Sequence, residues 1–398
     1  SPGLSGAFCI FVCMGKTDTN KKYQNTCKLI YRQRLSDAMV LLRQMTDESG
    51  KEFLHERIDE MQETYTQLLS HTFSGVKDPE REKIYNYIKR SLLELADQLR
   101  EILAEHSSGG NTALLKREVN KKKGAEGAEI MQALEKLSFG DELAGLLRDV
   151  RVGDNGKAAD REKTLSFIFQ MVWLGDIYSD EETRLLETVC DSETLPWHDK
   201  GLVVSALTLS LLRYFDVKKF LLLFRFVHRQ EEFVWERAII GLTLCFLKYN
   251  ERHVLYPALV EKTVELKSFP QVEQRIEAIL VQYTKSRETE KVKRKWEEEI
   301  LPEMLKMRPG IEKKLDLDNI FSDDPQEEKN PDWETFFEDA PDLLNKLQEL
   351  TEMQMDGMDV FISAFSRLKQ FTFFREISNW FLPFYTGNPS VREAIGGG

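Results

Sequence analysis

Apolar residues recur at three- and four-residue steps along most of the chain after Lys22, which is the pattern of helices with one buried face. Leu54, Ile58, Met61, Tyr65 and Leu68 form one such stripe, and Ile88, Leu92, Leu95, Leu99 and Ile102 form another. Between them Ser74-Gly75-Val76-Lys77-Asp78-Pro79-Glu80 carries the punctuation of a helix end followed by a helix start. Gly75 suits the left-handed closing residue, Asp78 the N-cap and Pro79 the first turn, where a missing N–H costs nothing. The spacing predicts two long antiparallel helices, so residues 25–106 read as an N-terminal helical hairpin region. An intermolecular coiled coil is the lesser alternative, because each stripe spans only three or four heptads.

His106-Ser107-Ser108-Gly109-Gly110-Asn111 is linker-like in composition, and Val152-Gly153-Asp154-Asn155-Gly156 breaks the pattern again. Residues 107–157 therefore read as a linker with short helices, with a boundary near 155. Beyond it the chain is self-similar. At an offset of 35, Val204–Tyr214 lies over Ile239–Tyr249 with five of eleven positions identical, Leu207 over Leu242 among them. A shorter apolar helix precedes each: Thr183–Val189 the first and Val217–Val227 the second. A third pair follows as Val254–Leu266 and Val272–Tyr283, and Ser179-Asp180-Glu181-Glu182 has the form of a capping box at the start of the first pair. Two helices per 35 residues is the period of a stacked helical repeat, in which each unit buries its apolar face only against its neighbours.

Val234-Trp235-Glu236-Arg237-Ala238-Ile239-Ile240-Gly241-Leu242 resembles the second helix of a HEAT repeat, and Val272-Glu273-Gln274-Arg275-Ile276-Glu277-Ala278 echoes it. Pro257 fits the bend common in the first HEAT helix. The Arg stands two residues late, and Pro196-Trp197 replaces the usual short acidic turn. Leu35, Ala38, Leu42 and Met45 look like the second helix of a tetratricopeptide repeat, without the Trp and Gly positions of its first helix. The whole is similar to bacterial proteins that mix the two repeat types. The resemblance implies an all-α fold, a right-handed α-solenoid of HEAT- and tetratricopeptide-like helix pairs with the long hairpin at its N-terminus. HEAT-like repeats would occupy residues 158–308.

The ends read differently. Residues 1–24 are expected to be a disordered or non-native leader, with 1–13 lying ahead of a start at Met14 or belonging to a fragment that has lost its leader. Residues 309–330 read as an acidic linker interrupted by Pro325. Residues 331–398 read as an aromatic-rich helical segment that stops short, since Asn388-Pro389-Ser390 looks like another helix start. Twelve aromatic residues fall in 333–385, and helical spacing makes them a core; the alternative is an exposed surface for a partner or membrane interface.

Charge sharpens this picture. The formal net charge of the 398 residues is −12, yet residues 1–157 hold 24 basic and 24 acidic side chains. Residues 310–356 hold four basic and fifteen acidic, so nearly all the imbalance is there. A general nucleic-acid surface is not expected, and Lys121-Lys122-Lys123 has no interleaved aromatics. No apolar run reaches the length of a membrane span. Five unevenly spaced cysteines (Cys9, Cys13, Cys27, Cys190 and Cys245) are not a disulfide framework and point to a reducing compartment, the cytoplasm.

Catalytic signatures are missing. Gly15-Lys16-Thr17 ends like a phosphate loop, but position 10 is Ile where glycine is required. His55-Glu56 begins like a zinc-protease helix, but Asp59 stands where the second histidine belongs. None of His55, His71, His106, His198, His228 and His253 is spaced to make a ligand pair, and His198-Asp199 falls where a turn or cap is as natural as acid–base work. The expectation is a non-enzymatic scaffold for a protein or peptide partner, with no catalytic, metal or cofactor residues and no nucleic-acid binding. The alternative is an enzyme on the same architecture, such as a HEAT-like DNA glycosylase, which needs a basic groove.

Overall fold

The computed structural model describes residues 18–74, 79–107, 114–121, 155–193, 195–286 and 376–382, with a few isolated positions besides. All secondary structure among them is helical. The chain divides into two compact units, one of Ala7–Ile276 with Glu376–Gly398 and one of Ser1–Gly6 with Glu277–Arg375. Nearly all the described helices belong to the first unit.

The N-terminal part of this unit is four helices rather than a single hairpin: α1 (Asp18–Tyr31), α2 (Leu35–Ser49), α3 (Phe53–Phe73) and α4 (Arg81–Ser107). The stripe Leu35, Ala38, Leu42 and Met45 is fully buried, and α2 packs on α1, α3 and α4. Gly50 ends α2 in the left-handed region at φ 64°, its N–H returning to the Asp47 carbonyl. The two long stripes meet as expected, with Leu54, Ile58, Met61 and Leu68 of α3 and Ile88, Leu92, Leu95 and Leu99 of α4 buried. At the end of α4 the buried position passes to Leu103, leaving Ile102 half-buried. A 3.6-residue period continues from 99 by four as readily as by three.

Two boundaries move. The leader expected over 1–24 overlaps α1, which begins at Asp18 because its side chains find partners far along the chain. Tyr23 donates to Asp97 at 2.7 Å, and Lys22 pairs with Glu48 at 2.5 Å. The linker-like His106 and Ser107 complete α4. The Gly75–Asp78 turn, the rest of 108–154 apart from helical residues 114–121, and the acidic stretch 309–330 lie outside the described residues.

After α5 (Asn155–Leu174) come α6 (Asp180–Asp191), α7 (Trp197–Arg213), α8 (Val217–Arg229) and α9 (Trp235–Lys248). The capping box opens α6 with both of its bonds, Glu182 N–H to Ser179 Oγ at 3.2 Å and Ser179 N–H to Glu182 Oε2 at 2.8 Å. Asp216 caps α8 by accepting from Lys218 N–H and also takes the N–H of Tyr178, both at 3.0 Å. These helices lie in two rows. In one, α5 packs on α7 and α7 on α9; in the other, α6 packs on α8 and α8 on α10 (Pro257–Leu266). Helix α8 also contacts α7 and α9, tying the rows together. Leu207 and Leu242, paired by the offset of 35, are both buried in the first row.

The third pair departs from expectation. His253–Leu255 is a separate 3-10 turn, and Pro257 starts α10 at its first position rather than bending it. Only Val272 is buried in α11 (Val272–Ser286), and the border between the compact units falls after Ile276, inside this helix. Of the aromatic-rich segment the described part is core-like. The 3-10 turn Ile377–Trp380 packs on α5, Phe381 stacks on Phe169 at 5.3 Å, and Gln170 donates to Glu376 at 3.1 Å.

Candidate functional site

The chemistry-bearing groups of this unit gather where α4 meets the helix rows. Asp97 and Arg252 are buried and pair at 2.5 Å, Tyr23 completes the carboxylate's hydrogen bonding, and the guanidinium lies 3.9 Å from the Phe215 ring centre. One turn further along α4, Arg100 donates to the Arg213 carbonyl and Glu101 pairs with the Arg213 guanidinium. Arg213 also meets Asp176 at 2.6 Å, and Lys116 reaches Asp176 at 2.7 Å and Glu105 at 2.8 Å. Buried Lys219 donates to the carbonyls of Gly175 at 2.8 Å, Asp176 at 2.6 Å and Tyr214 at 3.5 Å.

Much of this network serves helix ends. Arg213 donates to the carbonyl of Leu174, the last residue of α5, at 2.7 Å and to that of Gly175 just beyond it at 3.0 Å. Its counterpart at the offset of 35, Lys248, donates to the Leu212 carbonyl at the end of α7, and Tyr249 donates to Leu211 at 2.9 Å. Each second helix thus places a cation on the exposed carbonyl end of the one before it, where the helix dipole favours positive charge. The matched Arg213-Tyr214 and Lys248-Tyr249 in the aligned segments carry this device in the sequence.

The same geometry limits chemistry. Burial works against the Asp176 carboxylate, but Arg213 and Lys116 together hold its pKa below the ordinary value. Burial pushes the thiols of Cys27 up to about 11 and Cys190 up to about 12, and Cys245 is raised by burial as well. Buried neutral thiols are poor nucleophiles and poor metal ligands. Burial, aided by Arg213, lowers Lys219 to about 7, a value suited to a catalytic amine. Lys219, however, is wholly enclosed, and its ammonium is bonded to backbone carbonyls. A substrate has no approach to it.

The residues singled out by motif are dispersed. His55 pairs with Asp47 at 3.0 Å and Asp59 with Arg43 at 2.5 Å, both on the surface. His198 and Asp199 are buried in the first turn of α7, 3.6 Å apart. Lys121 is exposed at the end of the 114–121 helix, whereas Gly15-Lys16-Thr17, Cys9 and Cys13 lie outside the described residues. Among the described residues no three His, Cys, Asp or Glu side chains are grouped to hold a metal, and no helix is long and apolar enough to cross a membrane.

Two open concavities lie among the described residues. One of about 520 Å³ lies along α6 and α8, where Arg225 is committed to Asp191. The other, about 720 Å³, runs between α3 and α4 and is lined by Tyr65, Leu69, Tyr85 and Lys89, with Gln33 from the α1–α2 turn at its side. Comparison of the chain with protein families, with characterised proteins and with solved structures returns no match.

Proposed function

We propose that this protein is a non-enzymatic scaffold, a right-handed solenoid of HEAT- and tetratricopeptide-like helix pairs that holds a protein or peptide partner. The observation that carries the reading is the helix rows. Helices related by the offset of 35 pack side by side, and each second helix supplies a cation to the carbonyl end of its predecessor. Such a stack is rigid inside, while the residues on its surface remain free to suit a partner. Asp97 and Arg252 are bound to each other, Asp176 to Arg213, and Lys219 to backbone carbonyls, which supports a structural role for these buried charges. Free buried cysteines at 27, 190 and 245 are consistent with work in a reducing compartment, and we place the protein in the cytoplasm.

The test is to cross-link the tagged full chain in its native cell and identify the joined residues by mass spectrometry. Reproducible links from surface lysines to another protein support the scaffold. Release of a base from damaged duplex DNA by the purified chain, lost on changing one carboxylate, overturns it in favour of a glycosylase.

A further inference from the structure

The groove between α3 and α4 brings aromatic faces together with cations that no carboxylate among the described residues holds. Tyr65 and Tyr85 place their rings 6.4 Å apart along it, and Leu68 and Leu69 supply an apolar floor. Lys89 extends over the Tyr85 ring, 5.6 Å from its centre. Among the described residues neither Lys89 nor Arg81 makes an ion pair, although Lys83 on the same helix is paired with Glu80 at 2.9 Å. Glu82 also lines the groove, so the walls carry two cations against one carboxylate. The concavity along α6 and α8, by contrast, has no aromatic lining and balances Arg184 and Arg225 with Glu187 and Asp191.

Resting on the scaffold reading, we infer that the α3–α4 groove is a docking site for an acidic peptide with apolar anchor residues. The two tyrosines and two leucines would take one or two anchors, because aromatic faces give large contact area at low entropic cost. Arg81 and Lys89 would meet carboxylates flanking those anchors. Charge complementarity of this kind sets both the partner chosen and the rate of encounter, and it weakens with salt. A volume of about 720 Å³ holds a few side chains and not a folded domain, which fits a short segment of a partner protein.

The experiment uses the folded full chain and a fluorescein-labelled peptide whose sequence does not occur in the chain, Asp-Asp-Ile-Phe-Asp-Asp-Leu-Asp-Asp, read by fluorescence anisotropy. A second peptide has every Asp replaced by Lys. The acidic peptide is expected to bind saturably and the basic one not at all. Raising salt from about 50 to 300 mM should weaken binding at least about threefold, as screening of exposed charges requires. Lys89→Glu with Arg81→Glu should weaken it at least about tenfold, and Tyr65→Ala should weaken it without changing its salt dependence. Arg81 is exposed and Lys89 half-buried, so matched circular dichroism melts will identify variants that keep their fold. If a variant melts early, Lys89→Gln replaces it. Equal binding of both peptides, no binding, or indifference to the charge reversals overturns the assignment. If the peptide fails while protein cross-links map to other surfaces, the groove is wrong and the scaffold stands; if both fail, the scaffold reading falls too.

Discussion

Replacing Gly241 with alanine probes the contact between α9 and α7 at its tightest point. A Cβ built at Gly241 overlaps Thr208 Oγ1 and lies 3.2 Å from Thr208 Cβ and Cγ2. Thr208 is not free to turn away, since its hydroxyl donates to the Val204 carbonyl at 2.9 Å. Alanine is the better helix former by about 1 kcal/mol. Overpacking of this sort costs roughly 1–3 kcal/mol. The clash wins, and Gly241→Ala is expected to destabilise by about 1 kcal/mol. With Thr208→Ala already in place, Oγ1 and Cγ2 are gone and only the 3.2 Å approach to the Cβ remains, so the helix-propensity gain of about 1 kcal/mol offsets most of the cost and the same change should be close to neutral. Urea unfolding followed by far-ultraviolet circular dichroism on the four proteins of this cycle gives the coupling. Native-state hydrogen exchange of α7 and α9 assigns the change to those helices. Equal effects of Gly241→Ala in both backgrounds would refute the close packing of α9 on α7.

Other perturbations address other parts of the fold. Leu242→Ala and Leu207→Ala should each cost roughly 2–5 kcal/mol by urea unfolding, because both leucines are buried between packed helices. Asp97→Asn should cost about 3–5 kcal/mol by leaving Arg252 buried without its counter-charge, and adding Arg252→Met should recover much of the loss in the same assay. Lys219 is lowered from 10.5 to about 7, so between those values the unfolded chain carries a proton that the folded chain lacks. Its contribution to stability should therefore rise with pH across that window, approaching about 1.4 kcal/mol per pH unit, and Lys219→Met should remove the slope in denaturation series at about pH 6, 8 and 9.5.

Periodicity carries much of the helical layout. The stripes of α3 and α4, the capping box at Ser179 and the burial of Leu207 and Leu242 follow from three- and four-residue spacing and local capping rules, which need only neighbours in sequence. What stays hidden depends on distance along the chain. Asp97 and Arg252 are 155 residues apart, and a charged side chain in an amphipathic helix reads as solvent-facing until its partner is known. Tyr23 belongs to α1 through the same pair, so nothing local to residues 18–24 separates them from a leader. Phe381 lies on Phe169 across more than 200 residues, a contact no local pattern specifies. The third pair is less regular than its spacing predicts because α11 has a helical stripe, yet a stripe does not say whether its face is covered. The groove is invisible for a related reason: in the sequence Tyr65 is one member of a core stripe, while the structure leaves it half-buried at an open edge.

The central claim is that this protein works by holding another protein. It is tested most directly by placing a photoreactive benzoylphenylalanine, one at a time, at Leu69 in the groove and at the exposed Ile177 and Val264, then irradiating the native cells. The expected result is a discrete protein adduct, strongest from Leu69 and reduced when acidic peptide is added to permeabilised cells. Adducts to nucleic acid, or none from any of the three positions, would contradict it.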